Sequence, residues 1–362
     1  MLYGGVAVAV LIACIYLCVR RGNAFAPDIT PPVALRRWAA AFFAVLFLGH
    51  IWWFFFYISS GDFHSVSYLV VAELDCVGLI TTIAGTLLAM LQDRKRPIWP
   101  FVAATIPFTV LLVLNLVYPD GYLQEIAVAY ALLLYALFSV YMMFAVRQYG
   151  RWLRDNYADL KHKEVWQSHV LVIVILILII IYGFDDGNMF VSYLMQINGL
   201  ALTGLLLWRV ETLPQLDGIL VEEACPTPVP EKAQEPNFPT QVKQSLAIPS
   251  NIEQLLVERC VDTQLYLQHD LTILQLAQAV GTNRFYLSQY FSRQGITYNA
   301  YINDLRINHF MSLYREAIAA QQPITAQQLA SDSGYRSYST FSLAFKQRTG
   351  QSVTAWIREP TR

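Results

Sequence analysis

The sequence predicts an all-α protein: a seven-helix transmembrane bundle over residues 1–212, then a C-terminal all-helical domain with two helix-turn-helix units joined by a long helix. Three observations predict it. Seven stretches stay apolar for about 20 residues, the length that crosses a hydrocarbon core of about 30 Å. The loops between them alternate in charge without exception, and the region 271–350 contains one short pattern twice. Composition agrees, with 56% hydrophobic and only 14% charged residues, where a soluble chain carries about 25% charge. Nearly all of that shortage lies before Leu213.

The expected spans are Leu2–Val19, Trp38–Ile58, Val66–Leu91, Ile98–Tyr118, Tyr122–Val146, Val165–Phe184 and Phe190–Trp208. They are expected as helices because an unpaired backbone group is too costly in lipid. Arg20, Arg21, Arg36 and Arg37 flank the first connection, Arg94, Lys95 and Arg96 fill the third, and Arg147, Arg151, Arg154, Lys161 and Lys163 line the fifth. The second, fourth and sixth connections have no Lys or Arg and carry Asp62, Asp120, Asp185 and Asp186. Basic loops stay on the cytoplasmic side, so the N-terminus is expected outside and everything after Trp208 inside. The first stretch has no positive n-region or small-residue cleavage site, and so reads as a retained span. Cys14, Cys18, Cys76, Cys225 and Cys260 have no zinc-ligand or redox spacing, which argues against a disulfide framework.

Polar groups within spans are costly and mark function or interhelical bonds. His50, Glu73, Asp75 and Asn198 fall in the outer halves of their spans, with Asn115 and Glu125 nearer the same surface. Together with Trp52, Trp53 and Tyr68 they form a candidate outward-opening sensor pocket; the alternative is that they bond to one another across helices. His169 reads as structural, and Trp99, Trp152, Trp166 and Trp208 as interface anchors. No span holds a His-x-x-x-His pair, a nucleophile motif or paired broken helices, so no catalytic residue, metal or cofactor is expected. Residues 213–249 are rich in proline and glutamate (Pro226, Pro228, Pro230, Pro236, Pro239; Glu222, Glu223, Glu231, Glu235) and read as a semi-extended spacer.

The domain at 250–362 carries the repeat, with units at about 271–295 and 324–350. Thr272 matches Thr325, Leu276–Ala277 matches Leu329–Ala330, and Gly281 matches Gly334; with a one-residue slip Leu287 matches Phe341 and Phe291 matches Phe345. Thr272 with Gln275, and Thr325 with Gln328, are capping boxes. The Leu-Ala pairs allow close helix approach. The glycines suit the positive φ that ends a helix and turns the chain, and the second helices bury apolar residues at i and i+4.

Residues 270–358 resemble the DNA-binding domain of AraC-type (AraC/XylS) transcription regulators. The resemblance rests on Leu276-Ala-Gln-Ala-Val-Gly281, Tyr286-Leu-Ser288, the run Tyr301–Ile307, Phe341-x-x-x-Phe-Lys346 and Thr349-Gly350. It implies two helix-turn-helix units that read successive major grooves. By position, Arg284, Phe285, Ser288, Gln289, Tyr338, Ser339 and Ser342 would read bases, while Arg293, Arg336, Lys346 and Arg348 would hold phosphates. Three departures stand out. Leu343 sits where the family commonly has a polar or basic residue, Val353 replaces the usual proline, and the first unit is one residue short before Gly295. Ten Lys/Arg against eight Asp/Glu over 250–362 is weak basicity, so a homodimer on DNA is expected to supply avidity.

The implied function is a membrane-bound, sequence-specific transcription regulator in a bacterial cytoplasmic membrane, coupling an external or membrane cue to gene expression. Its expected partners are double-stranded DNA, the lipid bilayer and a small-molecule or membrane cue. The alternatives are a transporter or membrane enzyme with an appended DNA-binding domain, and a passive anchor.

Overall fold

The computed structural model describes residues 2–20, 22–24, 27, 29–59, 66–118, 122–160, 163–183, 189–216 and 251–358. Expectations for Asp62, Asp120, Asp185, Asp186, Arg21, Lys161, Cys225, the side chain of Tyr68 and the spacer from 217 onward lie outside the described residues. The described chain is helical and separates into two compact units, Met1–Tyr149 with His162–Cys225, and Gly150–Lys161 with Pro226–Arg362.

The first unit contains α1 (Leu2–Val19), α2 (Val33–Ser59), α3 (Val66–Ala89), α4 (Trp99–Ala103), α5 (Ile106–Val117), most of α6 (Tyr122–Asn156), α7 (Trp166–Gly183) and α8 (Met189–Thr212). Among the described residues, five helices are long and apolar enough to cross a membrane: Leu2–Val19, Val33–Ser59, Val70–Ala89, Glu125–Asn156 and Phe190–Thr212. The expected fourth span is not one helix. Pro100 and Pro107 each begin a helix, because a proline lacks the N–H that would continue the preceding one, and the turn at Ala104–Thr105 divides α4 from α5. Three helices outrun their apolar stretch, and α8 does so past Trp208 to Thr212. α2 begins at Val33, just after Pro31–Pro32, and α6 continues past Val146 to Asn156. Hydropathy reports where lipid is tolerated, whereas helical hydrogen bonding persists in water.

Contacts fix an up-and-down arrangement within this unit. Tyr3 Oη donates to the His50 carbonyl at 2.7 Å and Arg36 Nε to the Leu17 carbonyl at 2.9 Å, so α1 and α2 run antiparallel. Gly85 lies beneath the Trp38 ring and Gly78 beneath Val45, where an added Cβ would fall within 2.3 and 2.7 Å of those side chains. These glycines let α2 and α3 approach closely, the usual route to helix packing where lipid supplies no hydrophobic drive. Tyr130 Oη reaches the Ala104 carbonyl at 2.8 Å, Tyr135 Oη the Ile173 carbonyl at 3.0 Å, and His169 Nε2 lies 3.2 Å from the Leu87 carbonyl. His169 is therefore an interhelical staple, as expected. At the end that carries the basic loops, Glu211 accepts from Tyr16 Oη and the Ala24 amide, both at 2.6 Å, and Gln92 bonds the backbone of Pro214 and Leu216.

The second unit contains α9 (Ile252–Leu256), continued by a wider turn over Val257–Val261, then α10 (Ile273–Val280), α11 (Arg284–Arg293), α12 (Tyr298–Ala319), α13 (Ala326–Asp332), α14 (Tyr338–Thr349) and α15 (Val353–Arg358). Thr297 caps the start of α12 by accepting from the Ala300 amide, so the long helix opens earlier than the Tyr301 run suggests. There are two apolar cores, one on each side of α12. Leu271, Leu276, Leu287, Phe291, Tyr298 and Ile302 belong to the first, and Phe310, Leu329, Tyr335, Phe341, Phe345 and Val353 to the second. The apolar i, i+4 pairs on α11 and α14 are all core residues, as the repeat requires.

Candidate nucleic-acid interface

Each repeat builds the same local geometry from its own caps. Thr272 accepts from the Gln275 amide while the Gln275 side chain accepts from the Thr272 amide, a complete capping box. Thr325 accepts from the Gln328 amide, but the reciprocal bond to the Gln328 side chain is not found among the described residues, so the expected second capping box is only half made. Gly281 and Gly334 take φ of +79° and +86°, the left-handed turn expected of them, and Gly295 and Gly350 do the same at +68° and +79°. The second helix of each unit has its own cap: Asn283 accepts from the Tyr286 amide and Ser337 from the Thr340 amide. Those caps went unassigned in the sequence reading, although Asn and Ser immediately before an apolar-periodic stretch are a helix-start signal.

With Leu287, Phe291, Phe341 and Phe345 turned inward, the outward faces of α11 and α14 are fixed by helical period. On α11, Phe285 and Ser288 are exposed, and Arg284 and Gln289 are half-exposed. The Gln289 amide oxygen is enclosed and finds no donor among the described residues. On α14, Tyr338 and Ser339 are exposed and Ser342 is half-exposed. Leu343, at 61% exposure, is the most outward large apolar side chain of that helix.

The basic residues divide into two groups. Arg293 and Lys346 are exposed at the ends of the two second helices. Arg336 instead pairs with Asp270 at 2.8 Å, and Arg348 pairs with Asp304, which pushes its guanidinium further above the usual arginine range. Both pairs are exposed, and such pairs contribute about 0–1 kcal/mol, so a phosphate can compete for either arginine.

Arg306, to which the sequence assigns no role, ties the two helix-turn-helix repeats together within the second compact unit. It is 1% exposed, midway along α12. Its Nε donates to the Tyr266 carbonyl at 2.6 Å and an Nη to the Gln268 carbonyl at 2.7 Å, and its guanidinium lies 5.5 Å from the Tyr335 ring centre. Burial pulls its pKa down, and the neighbouring tyrosines and carboxylates oppose that shift. Tyr335 Oη also donates to Asn303 at 2.9 Å, and His269 Nδ1 lies 3.1 Å from the Gly334 carbonyl. These bonds hold the turn of the second repeat against the 266–269 segment that leads into the first, so α11 and α14 are presented as one piece.

In the first unit of the molecule, the polar residues proposed as a sensor pocket meet only in part. Trp53 Nε1 donates to Asp75 Oδ2 at 3.1 Å, and His50 Nε2 lies 3.1 Å from Gln196 Oε1. Tyr3 and Gln196 thus join the cluster, while Asn198, two residues on, is half-buried. Trp52 Nε1 and Asp75 Oδ1 are both buried, and the Trp52 side chain also acts on the Asp75 carboxylate. Glu73 and Asn115 are buried; Thr109 approaches the Glu73 carboxylate, and the Asn115 amide oxygen finds no partner among the described residues. Glu125 is exposed in the first turn of α6.

Comparison with protein-family models matches residues 276–359 to a helix-turn-helix domain, of AraC type. Comparison with curated proteins and with solved structures gave no match. The match covers α11, α14 and the helix α12 between them.

Proposed function

We propose that the chain is a membrane-embedded transcription regulator in which α11 and α14 read successive major grooves and the apolar helices receive the cue. The observation that carries this is the duplicated capped-helix, glycine-turn, capped-helix geometry, locked through Arg306 and falling within the matched family segment from Leu276 onward. A fixed pair of second helices with apolar inner and polar outer faces suits groove reading. The apolar helices support membrane embedding, and the basic character of the loops supports a cytoplasmic reader in a bacterial inner membrane. Arg284, Phe285, Ser288, Gln289, Tyr338, Ser339 and Ser342 are proposed to face bases. Arg293, Arg336, Lys346 and Arg348 are proposed to hold phosphates, Arg336 and Arg348 after leaving their carboxylates. The cluster of Tyr3, His50, Trp53, Asp75 and Gln196 is the proposed input region. A homodimer on DNA supplies the avidity that weak basicity withholds.

The test is selection of duplexes from a random pool by the full chain in lipid nanodiscs, followed by footprinting. Protection of two adjacent major-groove sites is expected, and no enrichment of any sequence discards the proposal. Arg284→Ala should relax discrimination at one position by about 1–3 kcal/mol, whereas Lys346→Ala should weaken all sequences alike and lower the salt dependence by about one ion.

A transporter reading is favoured by the carboxylates of Glu73 and Asp75 held within the apolar helix α3 and by the break between α4 and α5. Substrate uptake by proteoliposomes that Glu73→Gln abolishes would support it over regulation.

A further inference from the structure

Helix α6 belongs to both units: Tyr122–Tyr149 falls in the first and Gly150–Asn156 in the second. Beyond its end the chain does not turn away into solvent. Asn156 Nδ2 closes the helix by donating to the Trp152 carbonyl at 2.6 Å, and the Trp152 ring packs on Tyr157 at 5.7 Å. The next residues then lie along the first helix-turn-helix unit as a short strap. Tyr157 pairs with Thr272 in an antiparallel bridge, and the Ala158 amide donates to the Leu271 carbonyl at 3.3 Å. Asn299 Nδ2 donates to the Tyr157 carbonyl at 3.2 Å and to the Ala158 carbonyl at 2.6 Å. Ala158 is 2% exposed and forms part of the same core as Leu271, Leu276 and Tyr298. Asp159, also buried, acts electrostatically on Arg306.

The strap touches two places that matter for reading. Thr272 caps α10, the first helix of the motif, and Asn299 lies in the first turn of α12; α11 lies between those helices in the chain. Removing the strap would leave the Asn299 amide without both acceptors and open a methyl-sized gap in the core. Close-packed interiors with paired polar groups respond to such changes by switching between discrete arrangements. The later connection, rich in proline and glutamate, is composed as a spacer.

We infer that residues 157–160 are the contact by which α6 sets the state of the DNA reader: docked, the strap holds α10 and α12 in the reading arrangement, and undocked it releases them. The inference rests on the proposed function and extends it by naming the route from the apolar helices. Linkage makes it testable without knowing the cue, because DNA must act on the strap as strongly as the strap acts on DNA binding.

The experiment is hydrogen–deuterium exchange on the full chain in nanodiscs, followed at the backbone of residues 155–161, with and without the duplex selected above. The duplex is expected to slow exchange at the Ala158 amide several-fold. Asn299→Ala is expected to quicken exchange there by about tenfold through the loss of two hydrogen bonds, and to weaken binding of the selected duplex. If the duplex binds and exchange at the strap is unchanged or faster, the inference is overturned while DNA reading stands. If Asn299→Ala leaves strap exchange and binding as they were, the inference is also overturned. If no duplex is selected at all, both fall together.

Discussion

Gly281 and Gly334 occupy equivalent places in the two repeats, yet their surroundings differ. Both need a left-handed φ, which costs a side-chain-bearing residue about 1–2 kcal/mol. A Cβ on Gly281 would meet only the mobile end of Arg259, at 3.4 Å, whereas one on Gly334 would fall 2.7 Å from the Leu267 carbonyl oxygen and 2.9 Å from its Cα. Backbone cannot step aside as a side chain can. Gly281→Ala should therefore cost about 1 kcal/mol, and Gly334→Ala about 3 kcal/mol, read by pulse proteolysis of the second unit in the full chain; equal losses would contradict the packing described. Cys260 gives a pH-dependent counterpart. Burial pushes its thiol from 9.0 up to about 11, so the folded form holds its proton where the unfolded form has lost it. Its contribution is intact below about pH 9 and is lost as pH rises to about 11, a span worth about 2–3 kcal/mol. Burial raises Tyr298 and Tyr335 too, which adds a loss of the same sign at higher pH. Cys260→Ala should flatten the fall in unfolding midpoint between pH 9 and 11, and an unaltered slope would refute the assignment.

Among the elements, α14 is the less polar of the two helices proposed to read DNA. Leu343 is 61% exposed and Tyr338 stands at the helix start, so its outward face offers apolar surface where hydrogen-bonding side chains are usual. The one apolar group on base edges in the major groove is the thymine methyl. Replacing thymine by uracil opposite α14 should weaken binding of the full chain by about fourfold, the worth of one buried methyl. Leu343→Ala should bind both duplexes equally. A wild-type chain indifferent to the methyl would make α14 a phosphate clamp alone. The elements themselves were largely legible in the chain. Capping residues, positive-φ glycines and i, i+4 apolar pairs are local signals, and each produced the expected turn or helix. The ends of α2 and α6 were not legible, because apolarity measures solvent preference rather than helical continuity. The break between α4 and α5 was signalled by Pro100 and Pro107, which hydropathy averaging hides.

At the scale of the whole molecule, topology carries the heaviest consequence. If the basic loops face the cytoplasm, a reporter fused after Arg362 should fluoresce as green fluorescent protein and be inactive as alkaline phosphatase; the reverse pattern would place the reader away from DNA. The contacts within the first unit agree with an alternating chain, since residues near the basic loops meet one another and residues near the polar cluster meet one another. Replacing the apolar unit by a single unrelated span tests whether it is more than an anchor: regulation should be lost while DNA binding persists.

By itself the sequence determined what depends on near neighbours: which segments are apolar, where the first helix of each repeat starts, where the chain must turn left-handed, and which faces of the repeats turn inward. Tertiary structure alone decided which distant groups meet. Arg306 reads locally as a surface cation on a long helix, and only the arrival of the Tyr266 and Gln268 carbonyls makes it a buried tie. Likewise Gln196 rather than Asn198 reaches His50, because helix rotation is set by packing. Ala158, in a loop of unremarkable composition, becomes part of the reader's core through hydrogen bonds to Leu271 and Asn299. Such partners lie 38 to 146 residues apart, so no local pattern encodes them; they exist once folding has brought the backbones together.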